Sequence, residues 1–406
     1  MFKLTPLIIV EDQQTLEEVA RSLLDQPAIS VDTEADSLHH YQEKVCLIQI
    51  SDHTRDIIVD PLQVPDLSPL AAAFADPAMV KIFHGADYDV VSLKRDFGFE
   101  TRNIFDTMLA SQFLGFPRIG LADLIHRFFG IEIDKRYQRH DWAQRPLMPE
   151  HLDYARGDTH WLLALREILT YKLERAGRLE HVLEECALVE AREWSGRGVD
   201  PAVDFLRVKG TSGLSERSMK VLRALVNYRN SQARELDRPA FKVIGDDRLV
   251  AIAAEVPRTA DELARLVRPG TPLHRRHGDA LLEAVLQGLA DDTPLPERPR
   301  SAPSARLPVA DGGGERLLGP LKNWRNDVVN AAGISPAVVA NNTVLKEIAR
   351  LAPTSIEQLS QVPGIRSWQV RDFGEQIVKL VSDNLGEPGA ARTRKRRRRR
   401  RATAAE

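Results

Sequence analysis

The chain has 406 residues, 43% hydrophobic and 28% charged, with a formal net charge of −2. That length exceeds one core and predicts two or three domains of ordinary soluble composition. Two cysteines, Cys46 and Cys186, exclude a disulfide framework and fit a reducing, cytoplasmic setting, and no stretch is apolar for long enough to span a bilayer.

The opening MFKLTPLIIVEDQQ contains one short apolar run, too short for a membrane span and without a signal-peptide pattern. ISVDT then reads as a strand, and VCLIQIS and RDIIVD as two more, separated by a turn at 52–54. A helix is expected around LSPLAAAFA, a strand at MVKIFHG, a helix from about Asp87 to Phe97 and a short strand at NIFDT. Helical stretches follow near 107–114, 121–129 and 149–176. Three strands in succession, then strands mixed with helices, predict a mixed sheet with flanking helices over residues 1–195.

The remainder reads as helical and repeats itself at an offset of 96 residues. Asn227, Tyr228, Arg229 and Asn230 fall on Asn323, Trp324, Arg325 and Asn326. Leu249, Ile252 and Ala253 fall on Leu345, Ile348 and Ala349, Pro257 on Pro353, and Leu263 on Leu359. Two related helical domains are therefore expected, over 208–290 and 315–386. Residues 291–314, with five prolines and three consecutive glycines, form a linker by composition. Residues 387–406 are read as a disordered basic tail, in which RTRKRRRRRR holds nine positive charges. Residues 1–391 carry 47 basic and 57 acidic side chains, a net of −10. Such a tail is either a solvated end, a counterion-releasing arm for nucleic acid or, in a eukaryote, a nuclear import signal.

Chemistry is concentrated in four carboxylates and one tyrosine. Asp32 and Glu34 stand two apart in VDTEADS, on one face of an expected strand. Asp89 follows the strand MVKIFHG near a helix start, and Tyr154 and Asp158 are four apart on an expected helix and share a face. Acidic groups in apolar segments are costly to bury unless they hold cations. Hard oxygen donors of this kind suit two ions of Mg²⁺ or Mn²⁺ and phosphodiester chemistry. Singly, each motif is an ordinary surface carboxylate; the ordered set is far more specific. No G-x-x-x-x-G-K-[ST] motif occurs, which argues against a helicase.

This order and context resembles the DEDD exonuclease superfamily in its tyrosine variant. VDTEADS is similar to the first motif, HGADYDVVSLKRDFG with NIFDT to the second, and YARGDTHWLL to the third. DKRYQRHDWAQRPL is similar to the segment before the third motif in the ribonuclease D family, although His140 stands where a small residue is usual. The helical repeats resemble HRDC domains. The resemblance implies a ribonuclease H-like α/β domain, a mixed sheet with flanking helices, followed by two all-α HRDC bundles. It places the four metal-binding carboxylates on Asp32, Glu34, Asp89 and Asp158, with Tyr154 orienting or deprotonating the attacking water. It implies a 3′→5′ exoribonuclease releasing 5′-monophosphates from RNA, tRNA precursors with 3′ extensions above all, without a membrane. A 3′→5′ DNA exonuclease and a non-catalytic nucleic-acid-binding scaffold are the alternatives, because discrimination of RNA rests on 2′-OH contacts.

Neighbouring residues admit two readings each. His84 is a packed histidine or, from its place after an apolar strand, a substrate contact. Trp142 and Arg145 stack on and pair with RNA, or belong to the core. Asp87 reads as a helix cap, and Asp106 as a structural residue at a strand end. Arg229 and Arg325 either touch phosphate or brace their own bundles.

Overall fold

The computed structural model of the chain describes residues 5–194, 200–296 and 314–385. The expected basic tail and most of the expected linker lie outside them. Six strands form one mixed sheet: β1 (Leu7–Val10), β2 (Ala28–Ala35), β3 (Val45–Ser51), β4 (Asp56–Val59), β5 (Val80–Phe83) and β6 (Ile104–Asp106), in the order β1-β4-β3-β2-β5-β6. β2, β3 and β4 are antiparallel neighbours, while β1 pairs parallel with β4 and β5 parallel with β2. Every residue of β3 and β4 is buried, as continuous apolar runs demand of strands covered on both faces. β1 is not among the expected strands: four apolar residues carry no period, and only the pairing with β4 makes them a strand.

In the first 195 residues the α-helices are α1 (Gln13–Leu23), α2 (Ala71–Ala75), α3 (Asp87–Phe97), α4 (Thr107–Phe113), α5 (Leu121–Phe129), α6 (Pro149–His160), α7 (Leu162–Ala176) and α8 (Leu179–Glu190). The single helix expected over 149–176 is two, broken at Trp161. At the break the Trp161 ring packs edge-on to His160 and against Phe129, with ring centres 4.6 and 5.4 Å away. α6 lies against β2, β3 and β4.

The two helical repeats are element-for-element copies. The first comprises α9 (Glu216–Glu235), α10 (Ala240–Val243), α11 (Asp246–Glu255), α12 (Ala260–Leu266) and α13 (Pro272–Ala290). The second comprises α14 (Gly314–Ala332), α15 (Pro336–Val339), α16 (Asn342–Leu351), α17 (Ile356–Ser360) and α18 (Ser367–Leu385). α11 and α16 both end on a left-handed residue, Val256 at φ 50° and Ala352 at φ 46°, where a side chain with a Cβ is uncommon. In the first copy α9, α11 and α13 close a core around Leu222, Leu225, Leu249, Ile252, Leu281 and Val285.

The chain packs as two compact units that do not follow its linear order. One gathers the described residues of 1–104, 129–164 and 187–300, the other those of 105–128, 165–186 and 301–406.

Candidate active site

β2 presents Asp32 and Glu34 from one face, two residues apart, with Asp32 opposite Gln49 and Glu34 opposite Leu47 on β3. The register shifts directly after Glu34, a bulge of the kind that re-aims side chains beside active sites. α6 brings Asp158 to the same place: one carboxylate oxygen from each of Asp32, Glu34 and Asp158 lies within 4.8 Å of the others. Asp89, in the first turn of α3, is 7% exposed, and its Oδ1 accepts a 2.6 Å hydrogen bond from the buried Thr33 hydroxyl.

The electrostatics of this cluster are those of a cation site. Burial and then the carboxylates of Asp89, Asp158 and Glu34 push the Asp32 carboxyl well above its usual range. Glu34 is raised well above its usual range by burial, Asp158 and Asp89. Asp158 is pushed up to about 7 by burial and Asp89. Carboxylates that raise one another in this way are relieved by a divalent ion between them, and an all-oxygen donor set fits a hard cation.

Tyr154, one turn before Asp158, is seated by aromatic neighbours. Its ring stacks on Trp142 at 5.8 Å and meets Tyr137 edge-on at 5.9 Å. Burial, then Asp158, Glu34 and Asp32, raise the phenol far above its usual pKa, so the hydroxyl is neutral.

The other expected residues fare differently. His84 is half-buried in the link from β5 to α3. Trp142 is 1% exposed and therefore a core residue behind Tyr154, not a surface for stacking bases. Arg145 is likewise engaged within the protein. Its guanidinium makes a two-point contact with Asp60, at 2.6 and 2.7 Å, and donates to the carbonyls of Trp142 and Cys46. Asp87 is the first helical residue of α3 rather than its cap, which is Ala86, and its carboxylate pairs with Arg192 at 3.0 Å. Asp106 caps α4 by accepting from the amides of Met108 and Leu109. Arg229 pairs with Asp246, and Arg325 binds Asn342 and the Ala340 carbonyl, so both arginines brace their own copies.

The sequence reading missed the clamp that sets α6. Asp56, 1% exposed, accepts from Arg156 at 2.6 Å, Thr5 at 2.7 Å and Ser51 at 2.7 Å, and meets His160 Nδ1 at 3.0 Å. Burial raises its carboxyl, but the bonds from His160, Thr5, Ser51 and Arg156 outweigh that and hold it low. Arg156 and His160 alternate along α6 with Tyr154 and Asp158, so the clamp fixes the helix rotation that aims Tyr154 and Asp158 toward β2. The Thr159 hydroxyl meets Ser51 at 2.7 Å and its carbonyl accepts from Ser30, adding a third tie. The i,i+4 spacing of Arg156 and His160 was visible in YARGDTH, but Asp56 as their partner was not.

The 3′-5′ exonuclease family profile matches residues 7–174, and the HRDC domain profile matches 218–285 and 314–381. A ribonuclease D of Acidiphilium cryptum is 29% identical over 96% of both chains. A ribonuclease D of Desulfotalea psychrophila is 30% identical over 90% of this chain and 96% of its own. The crystal structure of Escherichia coli RNase D, described as an exoribonuclease involved in structured RNA processing, is 25% identical with a TM-score of 0.69, over 94% of this chain and 99% of that one. With this full-length similarity, the matched domains and the carboxylate cluster together, the chain belongs to the ribonuclease D family and is a metal-dependent 3′→5′ exoribonuclease.

Proposed function

We propose that this enzyme trims the 3′ ends of structured RNAs in the cytoplasm, tRNA precursors with 3′ extensions among them. In this reading Asp32, Glu34, Asp89 and Asp158 hold two ions of Mg²⁺ or Mn²⁺. The nuclease domain is 1–195 and the HRDC domains are 208–290 and 315–386. The observation that carries it is the convergence of Asp32, Glu34 and Asp158 within 4.8 Å. Bound there, divalent ions supply an activated water and neutralise charge at the scissile phosphate. Water adds to the phosphorus, and the bond to the 3′ oxygen of the penultimate nucleotide breaks. That oxygen takes a proton, and the terminal residue leaves as a 5′-monophosphate.

The protein's own contributions are positional. The Thr33 hydroxyl donates to one oxygen of Asp89 and so fixes the orientation of that carboxylate. Tyr154, neutral in the metal-free protein, orients the attacking water by hydrogen bonding rather than deprotonating it. The Asp56 clamp fixes α6, and His84 stands at the entry to α3, where it meets the substrate's terminal residues.

The test is a product assay on 5′-labelled, 3′-extended tRNA and a matched DNA strand, with Mg²⁺ and with EDTA. The expected result is a stepwise ladder shortening from the 3′ end of the RNA, lost with EDTA. Equal or faster degradation of DNA would replace the RNA-processing reading with a repair one, and preference for unstructured RNA over the tRNA would remove the tRNA assignment.

A further inference from the structure

The two HRDC copies share a fold but not a surface. In the first, the end of α9, α10 and the start of α13 enclose a cleft of about 590 Å³. Its lining includes Arg238, Lys242 and Arg276 and no acidic side chain. All three cations are exposed, and two apolar residues stand beside them in the open, Leu236 at 50% and Phe241 at 56% exposure. Cations interleaved with an exposed aromatic ring are what single-stranded nucleic acid requires, the cations for phosphates and the ring for a base.

The second copy has none of this. At the offset of 96 residues Arg238, Lys242, Phe241 and Arg276 become Ile334, Val338, Ala337 and Asp372. There Ile334 and Val338 are each 7% exposed, and Asp372 pairs with His181 at 3.1 Å. Trp368 donates its indole N–H to Glu185, Arg366 binds the same carboxylate, and Arg178 donates to the Ala332 carbonyl. The same face is therefore packed against side chains of α8 and the turn before it. It is open and cationic only in the first copy.

The open cleft is also tied to the catalytic strand. Asp237, between Leu236 and Arg238, accepts from the Tyr41 amide at 3.1 Å and meets His40 Nδ1 at 2.7 Å. Arg234 lies over the Tyr41 ring at 5.6 Å. His40 and Tyr41 belong to the loop that leaves β2 directly after Asp32 and Glu34.

We infer that the Arg238–Lys242–Arg276 cleft of the first HRDC copy is a docking site for the phosphate backbone of single-stranded RNA upstream of the 3′ end, and that the second copy has no such role. This rests on RNA being the substrate. The cleft holds the strand while the carboxylates act on its end, and the His40–Asp237 contact keeps the two in register.

The experiment uses the full chain with Arg238→Ala, Lys242→Ala and Arg276→Ala combined. A control combines Arg217→Ala, Arg258→Ala and Arg265→Ala, three exposed cations of the same copy outside the cleft. Binding of a long single-stranded RNA is measured in EDTA across a salt series, and kcat and KM on that RNA and on a dinucleotide are measured with Mg²⁺. The cleft variant is expected to bind the long RNA about tenfold more weakly, with a salt slope lower by about 2, from three lost phosphate contacts. Its ratio of kcat/KM on long RNA to that on dinucleotide falls by the same factor, through KM. An unchanged affinity and ratio, or an equal loss in the control, overturns the inference and leaves the exoribonuclease reading intact. A wild-type chain that degrades no RNA overturns the activity instead, and the EDTA binding comparison still reads the cleft.

Discussion

Two sets of carboxylates, one buried on β4 and one half-buried where β2 meets α6, are treated in opposite ways. Asp56 and Asp60, at the two ends of β4, are completed by arginines of the same chain, Arg156 and Arg145, and their carboxyls are held low despite burial. Asp32, Glu34 and Asp158 face one another, and their carboxyls are driven up. Desolvation acts on both sets; the sign of the neighbouring charge separates the carboxylates that are held low from those that are driven up. The first set spends its charge on stability. In the proposed reading the second set is relieved by a cation from solution, so the site is destabilising until it is filled.

The sharpest way to break this comparison is to neutralise one member of each set. Asp158→Asn is expected to lower kcat by about 1,000-fold or more, because a charge-stabilising group at the reacting phosphate is lost, while RNA still binds. The same substitution raises the melting temperature of the metal-free protein, since it removes one of the opposed charges. Wild-type-like turnover would remove Asp158 from the site. Asp56→Ala has the reverse character. It leaves Arg156 buried without its partner and is expected to cost about 3–5 kcal/mol in urea unfolding, whatever the metal concentration. A loss below 1 kcal/mol, on the scale of an exposed pair, would mean that the clamp contributes little.

Tyr154→Phe keeps the ring between Trp142 and Tyr137 and removes only the hydroxyl. Turnover is expected to fall about 10- to 100-fold, the worth of one hydrogen bond to a charged reacting group, with KM nearly unchanged. A rise in KM at constant kcat would assign the hydroxyl to binding instead.

The remaining effect is on stability against pH. Asp158 titrates at about 7 in the folded chain against 3.8 for its ordinary value. A carboxyl raised in the folded state stabilises fully below its unfolded pKa, and that contribution is lost as pH rises through the folded value. In EDTA the melting temperature should therefore fall between about pH 4 and pH 7 on account of this group. Added Mg²⁺ should restore it, more at pH 8 than at pH 5, because the ion binds the ionised form. Arginine-paired Asp56 and Asp60 shift the opposite way and lose stability only on acidification below the usual carboxylate range. A metal effect independent of pH would contradict the assignment.

Local chemistry was written in the chain. The period-two spacing of Asp32 and Glu34 gave a shared strand face, and the i,i+4 spacing of Tyr154 and Asp158 gave a shared helix face. The repeat offset of 96 residues matches the helical copies to within a residue or two at most helix ends, because each copy folds from its own sequence. Trp142 and Arg145 were ambiguous for a physical reason: an aromatic ring and a guanidinium serve a core and a nucleic acid surface equally well, and only burial and the partner Asp60 decide between them.

The sequence by itself determined which residues carry charge, which faces of strand and helix they share, and that the second half is a duplicated helical module. Those properties follow from the backbone's own periodicity and need no distant contact. Only the tertiary structure decided that β1 is a strand, that the Asp56 clamp sets the rotation of α6, and that one copy of the duplicated face is open and cationic while the other is packed. Each of these depends on a partner tens to hundreds of residues away, and the pairing of distant groups is fixed by packing rather than by any local pattern.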